Sequence, residues 1–205
     1  MNVVGWIEER KECAQLVTNR IPLSDVKEWV INSEGMEHNT KRFFSVIGVA
    51  SYNKVTGNVI ASQPIIDQPE IGLLGFILAE SEDGLKILLQ AKTEPGNING
   101  TQIGPTVQAT FSNYMRVHEG KATEHLNYFI EEGVLKSEGS LQSEQGTRFY
   151  GKYNRNVSTF IESDKYHTEL GNWTWFPVKE VLSMLHEDYY INTDARSVLV
   201  CSDWS

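Results

Sequence analysis

An α+β domain, a mixed or antiparallel sheet with helices packed on it, is what the sequence predicts, and three observations carry it. From residue 42 to about residue 111, short runs rich in Val, Ile, Leu and Phe follow one another, separated by Asn, Gly, Pro or Asp. Segments towards both ends carry apolar residues at helical spacing instead. No internal repeat, low-complexity tract or Pro-rich linker interrupts the 205 residues, so residues 1–205 read as one module.

Taken in order, residues 1–35 read as a helical arm. Asp25 stands three positions before Glu28 as in a capping box, Leu23, Val26, Trp29 and Val30 share a face, and Gly35 ends the run. Strands are expected over Phe43–Ala50, Val59–Ile66, Ile71–Ala79 and Leu85–Lys92, more uniformly apolar than a one-sided meander needs. Thr93–Pro105 is the most loop-like stretch, and Thr106–Phe111 resumes strand character. Thr123–Glu132 has helical spacing and stops at Gly133. Strand regions follow around Val134–Leu141 and Arg148–Ile161, then Trp173 and Trp175 alternate to cover the core from one side. Pro177–Glu187, with Pro in the first turn and Val178, Val181, Leu182 and Leu185 on one stripe, is an amphipathic helix.

The formal net charge is −9 with no basic run, which argues against nonspecific nucleic-acid binding. Cys13 and Cys201 form no C-x-x-C pair and no zinc-spaced Cys/His cluster, so no metal site is expected and a reducing cytoplasm is the simplest compartment. The start carries no apolar signal core, and no run reaches the roughly 18 apolar residues of a membrane span. P-loop, dinucleotide-fold, H-E-x-x-H and G-x-S-x-G signatures are all absent, so cofactor chemistry is not signalled.

What stands out lies between Leu88 and His118. Gln90 and Lys92 share a face at the end of an apolar strand, and Gln108 and Thr110 share one on the next. If those strands pair, four polar side chains converge. Two readings stand, a solvated face or a polar site, because an unpaired buried polar group costs about 1–3 kcal/mol.

Several segments resemble the NDP-hexose 2,3-dehydratases of deoxysugar biosynthesis. They are Lys41–Val46, Gln63–Ile66, Leu88–Asn97, Pro105–Thr110, Ser112–Tyr114, Trp173–Phe176 and Asn192–Leu199, together spanning Leu23 to Leu199. The resemblance implies a Nudix-hydrolase-like fold, although the Nudix metal box, a Gly followed by an Arg-Glu-x-x-Glu-Glu cluster, is missing here. It also implies a cofactor-free lyase that removes water across C2 and C3 of a dTDP-4-keto-6-deoxyhexose, giving a 3,4-diketo-2,6-dideoxy sugar nucleotide. The family's usual subunit holds two tandem modules and this chain one, so a homodimer is expected to restore the pair. Two other functions stay open: a catalytically silent nucleotide-sugar binding module partnering another chain, and a ketosugar isomerase or epimerase.

The elimination needs a base at C3, a donor to the C4 oxygen and an acid for the C2 hydroxyl. Glu94, just after a buried strand and before Pro-Gly, and His118, in a turn, are the candidate proton-transfer pair. Lys92 is the candidate donor to the C4 oxygen or partner of the diphosphate, and Tyr114 the candidate acid. Arg42, Arg148 and Lys152, with Lys41 and Arg155, are candidate diphosphate ligands, although alternating charge on an exposed strand edge reads equally well. Gln90, Gln102, Gln108, Thr110 and Asn113 are candidates for reading base and sugar, with Tyr150 stacking on the thymine. Asn97–Gly100 reads as a loop over the pocket, and His38, His125, His167 and His186 as structural or exposed.

Overall fold

The computed structural model describes residues 1–110, 123–132, 134–162 and 171–204. Along them helix α1 spans Val3–Cys13, and β1 (Trp29–Ile31), β2 (Gly35–His38), β3 (Ser45–Tyr52) and β4 (Val59–Asp67) follow. Next come β5 (Gly72–Ser81), β6 (Gly84–Thr93), β7 (Thr101–Gly104), β8 (Val107–Thr110), β9 (Ile130–Glu131) and β10 (Val134–Leu135). The last elements are β11 (Ser140–Ser143), β12 (Tyr153–Ile161), β13 (Trp173–Pro177), α2 (Val178–Ser183) and α3 (Thr193–Cys201). No helix among the described residues is long and apolar enough to cross a membrane. The chain divides into two compact units: Met1–Thr18, Gly72–Gln142 and Arg155–Ser205 in the first, Asn19–Ile71 and Ser143–Asn154 in the second.

The first unit is built on a seven-stranded sheet with the path β11-β12-β5-β6-β13, β7 pairing with β6 and β8 with β5. Both faces of its centre are buried, which is why β5 and β6 read as continuous apolar runs. On one face Leu74, Phe76, Leu78, Ile87, Leu89 and Ala91 meet Val3, Trp6 and Ile7 of α1, Val181 of α2 and Val198 and Leu199 of α3. On the other, Leu73, Ile77, Leu88, Val107, Ala109, Val157 and Trp175 surround Phe129. Gly75 makes room for that ring, since a Cβ there would stand 2.4 Å from Phe129 Cε1. Helix α1 is seated at its start by Asn2, whose side chain accepts from Gly5 N–H, and by Glu180, which accepts from Val3 N–H at 2.7 Å.

The second unit is the antiparallel sheet β1-β2-β3-β4. Trp29, His38, Phe43 and Phe44 form an aromatic cluster on its short strands, with the His38 and Phe43 ring centroids 4.6 Å apart. Among its described residues, Ile65 is the one buried hydrophobe.

The expected helices need three corrections. The pattern over Leu23–Val30 gives a single 3-10 turn, Leu23–Asp25, and then strand β1, because Trp29–Ile31 pair with Met36–His38. Gly35 therefore opens β2 and ends no helix. Thr123–Glu132 holds only a 3-10 turn, Leu126–Tyr128, broken from any longer helix by His125 at φ +63°. Thr101–Gly104, read as loop, is strand β7, its ladder supplied by the end of β6. Sheet and helices otherwise give the α+β class that the alternation of patterns predicts.

Candidate functional site

Strands β5 and β6 leave a tight hairpin and stay paired as far as Ile77 and Leu88. Beyond that rung they part, Gly72–Gly75 pairing with β8 and Gln90–Thr93 with β7. Thr106, 2% exposed and lying between β7 and β8, holds the branch point. Its hydroxyl accepts from Ile77 N–H at 3.0 Å and donates to the Leu88 carbonyl, serving one strand with each half of its capacity. Trp173 of β13, opposite Gln90, donates its indole N–H to the Thr106 carbonyl at 2.9 Å.

A cavity of about 210 Å³ opens at this divergence. Gln90 and Lys92 line it from β6, Val107 and Gln108 from β8, Thr106 and Trp173 from beside the branch point, and Thr123 and Glu124 from the segment before the 3-10 turn. Lys92 organises one wall. Its ammonium donates to the Gln108 side-chain oxygen and lies 3.0 Å from Glu94 Oε1. Its stem runs over Gly104, where a Cβ would come within 3.3 Å of Lys92 Cδ. Both ends of the ion pair are partly solvated, with side chains 23% and 35% exposed, so its value lies in placing the ammonium, beside a stability contribution of about 1 kcal/mol or less.

His125 follows the lining residue Glu124 in the chain. Its left-handed backbone costs about 1–3 kcal/mol at a non-Gly residue, strain that collects at functional positions. Its ring meets Trp173 edge-on at 5.1 Å. Burial pushes the imidazole below its ordinary 6.5, against a smaller upward pull from the Glu124 carboxylate, so the ring is neutral at neutral pH.

The model of the family described as NDP-hexose 2,3-dehydratase matches residues 1–202. The chain belongs to the NDP-hexose 2,3-dehydratase family. It is 38% identical over 201 residues to the dTDP-4-dehydro-6-deoxy-alpha-D-glucopyranose 2,3-dehydratase of Saccharopolyspora spinosa, covering 96% of this chain and 40% of that protein. Proteins of the same name from Streptomyces violaceoruber and Amycolatopsis orientalis are 37% and 36% identical, over 95% and 98% of this chain and 44% of each of them. The chain thus spans less than half the length of the curated relatives it matches. A crystal structure of an ADP compounds hydrolase, 14% identical, covers 86% of this chain and 93% of its own at a TM-score of 0.47, a likeness too loose to carry an argument.

In this member of the dehydratase family, the structure brings together Gln90, Lys92 and Gln108, three of the four polar side chains expected to converge, but by another route, and Glu94 pairs with Lys92. Strands β6 and β8 do not pair. At the branch point β6 parts from β5, which takes β8 as its partner, and the Lys92 side chain spans the gap between β6 and β8. Thr110 pairs with Gly72 and is not among the lining residues. Gln102, 9% exposed, donates its amide to the Tyr189 carbonyl at 2.9 Å, which anchors a loop. Arg155 donates to the Glu138 carbonyl. Asn97 ties the expected covering loop down by donating to the carbonyls of Lys92 and Gly100.

Arg42, Arg148, Tyr150 and Lys152 belong to the second unit. There Lys152 is buried and donates its ammonium to the Glu70 carbonyl, while Arg42, Arg148 and Tyr150 are exposed. Asn113, Tyr114, His118 and His167 lie outside the described residues. Residue-by-residue reading gave Thr106, Thr123 and Glu124 no role at a site, took His125 as structural or exposed, and took Trp173 as cover for the core. Only an unusual backbone angle or a topological branch singles them out, and neither is written as a motif.

Proposed function

We propose that this chain is a lyase that removes water across C2 and C3 of a dTDP-4-keto-6-deoxyhexose, giving the 3,4-diketo-2,6-dideoxy sugar nucleotide. The observation that carries this reading is the Lys92 ammonium, held between the Gln108 amide oxygen and Glu94 on the wall of an amide-lined cavity in a chain of this family. The elimination builds negative charge on the C4 oxygen, and a fixed cation at the cavity wall stabilises that oxygen more than it stabilises the neutral ketone. Glu94 keeps the ammonium aimed, and Gln90 and Gln108 offer amides to sugar hydroxyls.

Size supports a single ring inside. At about 210 Å³ the cavity falls below the range of about 300–1,000 Å³ that takes drug-sized ligands, so the hexose enters and the nucleoside diphosphate stays at the mouth. A cytoplasmic location completes the reading, since the two cysteines are free, as in a reducing compartment. Incubating the purified chain with dTDP-4-keto-6-deoxyglucose and following the mass of the nucleotide sugar tests it. Loss of one water is expected, and an unchanged substrate at high protein concentration would overturn it. Calorimetry with dTDP separates the alternative, since a silent module binds without turnover.

A further inference from the structure

A dehydratase of this kind needs a group that removes the C3 proton. Glu94 is poorly placed for it: its carboxylate is turned to the Lys92 ammonium at 3.0 Å, and it is not among the described residues that line the cavity. Among the described lining residues one carboxylate is present, and it is Glu124. Glu124 also stands in an anchored stretch of chain. The next residue, His125, is locked in the left-handed region with its ring against Trp173, another lining residue. The 3-10 turn beyond it is closed by Tyr128 N–H to the His125 carbonyl and Phe129 N–H to the Leu126 carbonyl, and Phe129 is buried on Gly75 of β5. Glu124 thus lines the same cavity as the Lys92 ammonium, and an elimination next to a ketone draws on one group of each kind, a base and an oxyanion donor.

We propose, resting on the dehydratase function, that Glu124 is the catalytic base of the elimination and that it also delivers the proton to the departing hydroxyl. The balance is redox-neutral. The Glu124 carboxylate takes the C3 proton, and the C–H electron pair moves towards C4, whose oxygen gains charge beside Lys92. The pair then returns to form the C2–C3 double bond as the C2–O bond breaks. The protonated Glu124 gives its proton to the leaving oxygen, which departs as water, and the carboxylate is restored. The enol left at C3 becomes the ketone by losing its hydroxyl proton to solvent while C2 gains one.

The test compares Glu124→Gln with Glu94→Gln in the full chain, reading kcat for water loss, KM and the affinity for dTDP. For E124Q a fall in kcat of about 10²–10⁴-fold is expected, with dTDP affinity within about threefold of the unaltered chain. For E94Q a smaller fall in kcat, about three- to tenfold, is expected, because Lys92 keeps its Gln108 partner and loses only part of its aim. E124Q with kcat within threefold of the unaltered chain, or a loss confined to E94Q, overturns the assignment. Should E124Q lose its cooperative melt, Glu124→Asp decides. It should melt normally and turn over at least tenfold more slowly with a larger isotope effect on C3-deuterated substrate, and an unchanged rate overturns the proposal. Failure of the dehydratase function itself is distinguishable, because the unaltered chain would then bind dTDP without releasing water, and the assignment of Glu124 would fall with it.

Discussion

The two units of the chain bury very different amounts of apolar surface. In the first, β5 and β6 are covered on both faces, and side chains such as Phe76, Ile77, Ile87 and Leu89 are wholly buried. In the second, β3 and β4 form a hairpin whose Ser51–Pro64 stretch is exposed throughout, with Val59 and Ile60 59% and 67% accessible. Both strands carry apolar residues as β5 does, so strand composition alone does not make a core; a sheet stabilises a fold only through what is laid upon it. The cavity lies in the unit that has the core, where neighbouring residues are held firmly enough to fix a charged side chain.

Several measurements would break or sharpen that contrast. The largest expected difference is in amide exchange: the β5–β6 rungs from Ile77 to Leu88 should open only on global unfolding, and the amides of the β3–β4 hairpin at a free energy lower by about 5 kcal/mol or more. Equal protection would show that the hairpin is covered in solution. Next, Phe129→Ala should cost about 3–5 kcal/mol in urea unfolding, because it empties the space above Gly75. A cost below about 1 kcal/mol would mean that the ring contributes little to the core.

Gly104→Ala forces the Lys92 stem to give by a few tenths of an ångström, and a drop of about three- to tenfold in kcat/KM is expected with the melting temperature little changed. An unaltered kcat/KM would detach Lys92 from the reaction. His125 supplies a pH dependence. Its folded value lies below the 6.5 of the unfolded chain, so unfolded molecules bind more protons between the two. The contribution is complete above 6.5 and is lost as pH falls through the folded value, a fall in melting temperature towards acid that His125→Asn should remove. The smallest effect is reserved for Ile60→Ser, within about 0.5 kcal/mol of the unaltered chain, and a larger loss would mark that surface as buried against something.

Much of the sheet was legible because β5 and β6 carry unbroken apolar runs, and α2 because Pro177 and a periodic stripe announce it. The polar side chains Gln90, Lys92 and Gln108 were legible as exceptions to their own strands. Pairing partners were not, since nothing in Leu23–Val30 says that Trp29 will face His38 across a hairpin and not lie on a helix. Helix α3 went unread although Asn192 caps it through Ala195 N–H and Ala195, Val198 and Leu199 mark its buried side, because so short an element carries little periodic signal. Glu124 and Trp173 escaped for a different reason. A site made where two strands change partners draws on residues far apart in sequence, and no local spacing records that meeting.

Thr106 has a consequence of its own. A single hydroxyl acts as a doorstop between two strands that would otherwise zip together, so valine, its isostere, would strand an amide and a carbonyl in the dry interior. The seam would then have to admit solvent or close by a rung, erasing the hollow that the hydroxyl holds open. The hollow therefore depends on one buried hydroxyl as much as on the polar side chains around it.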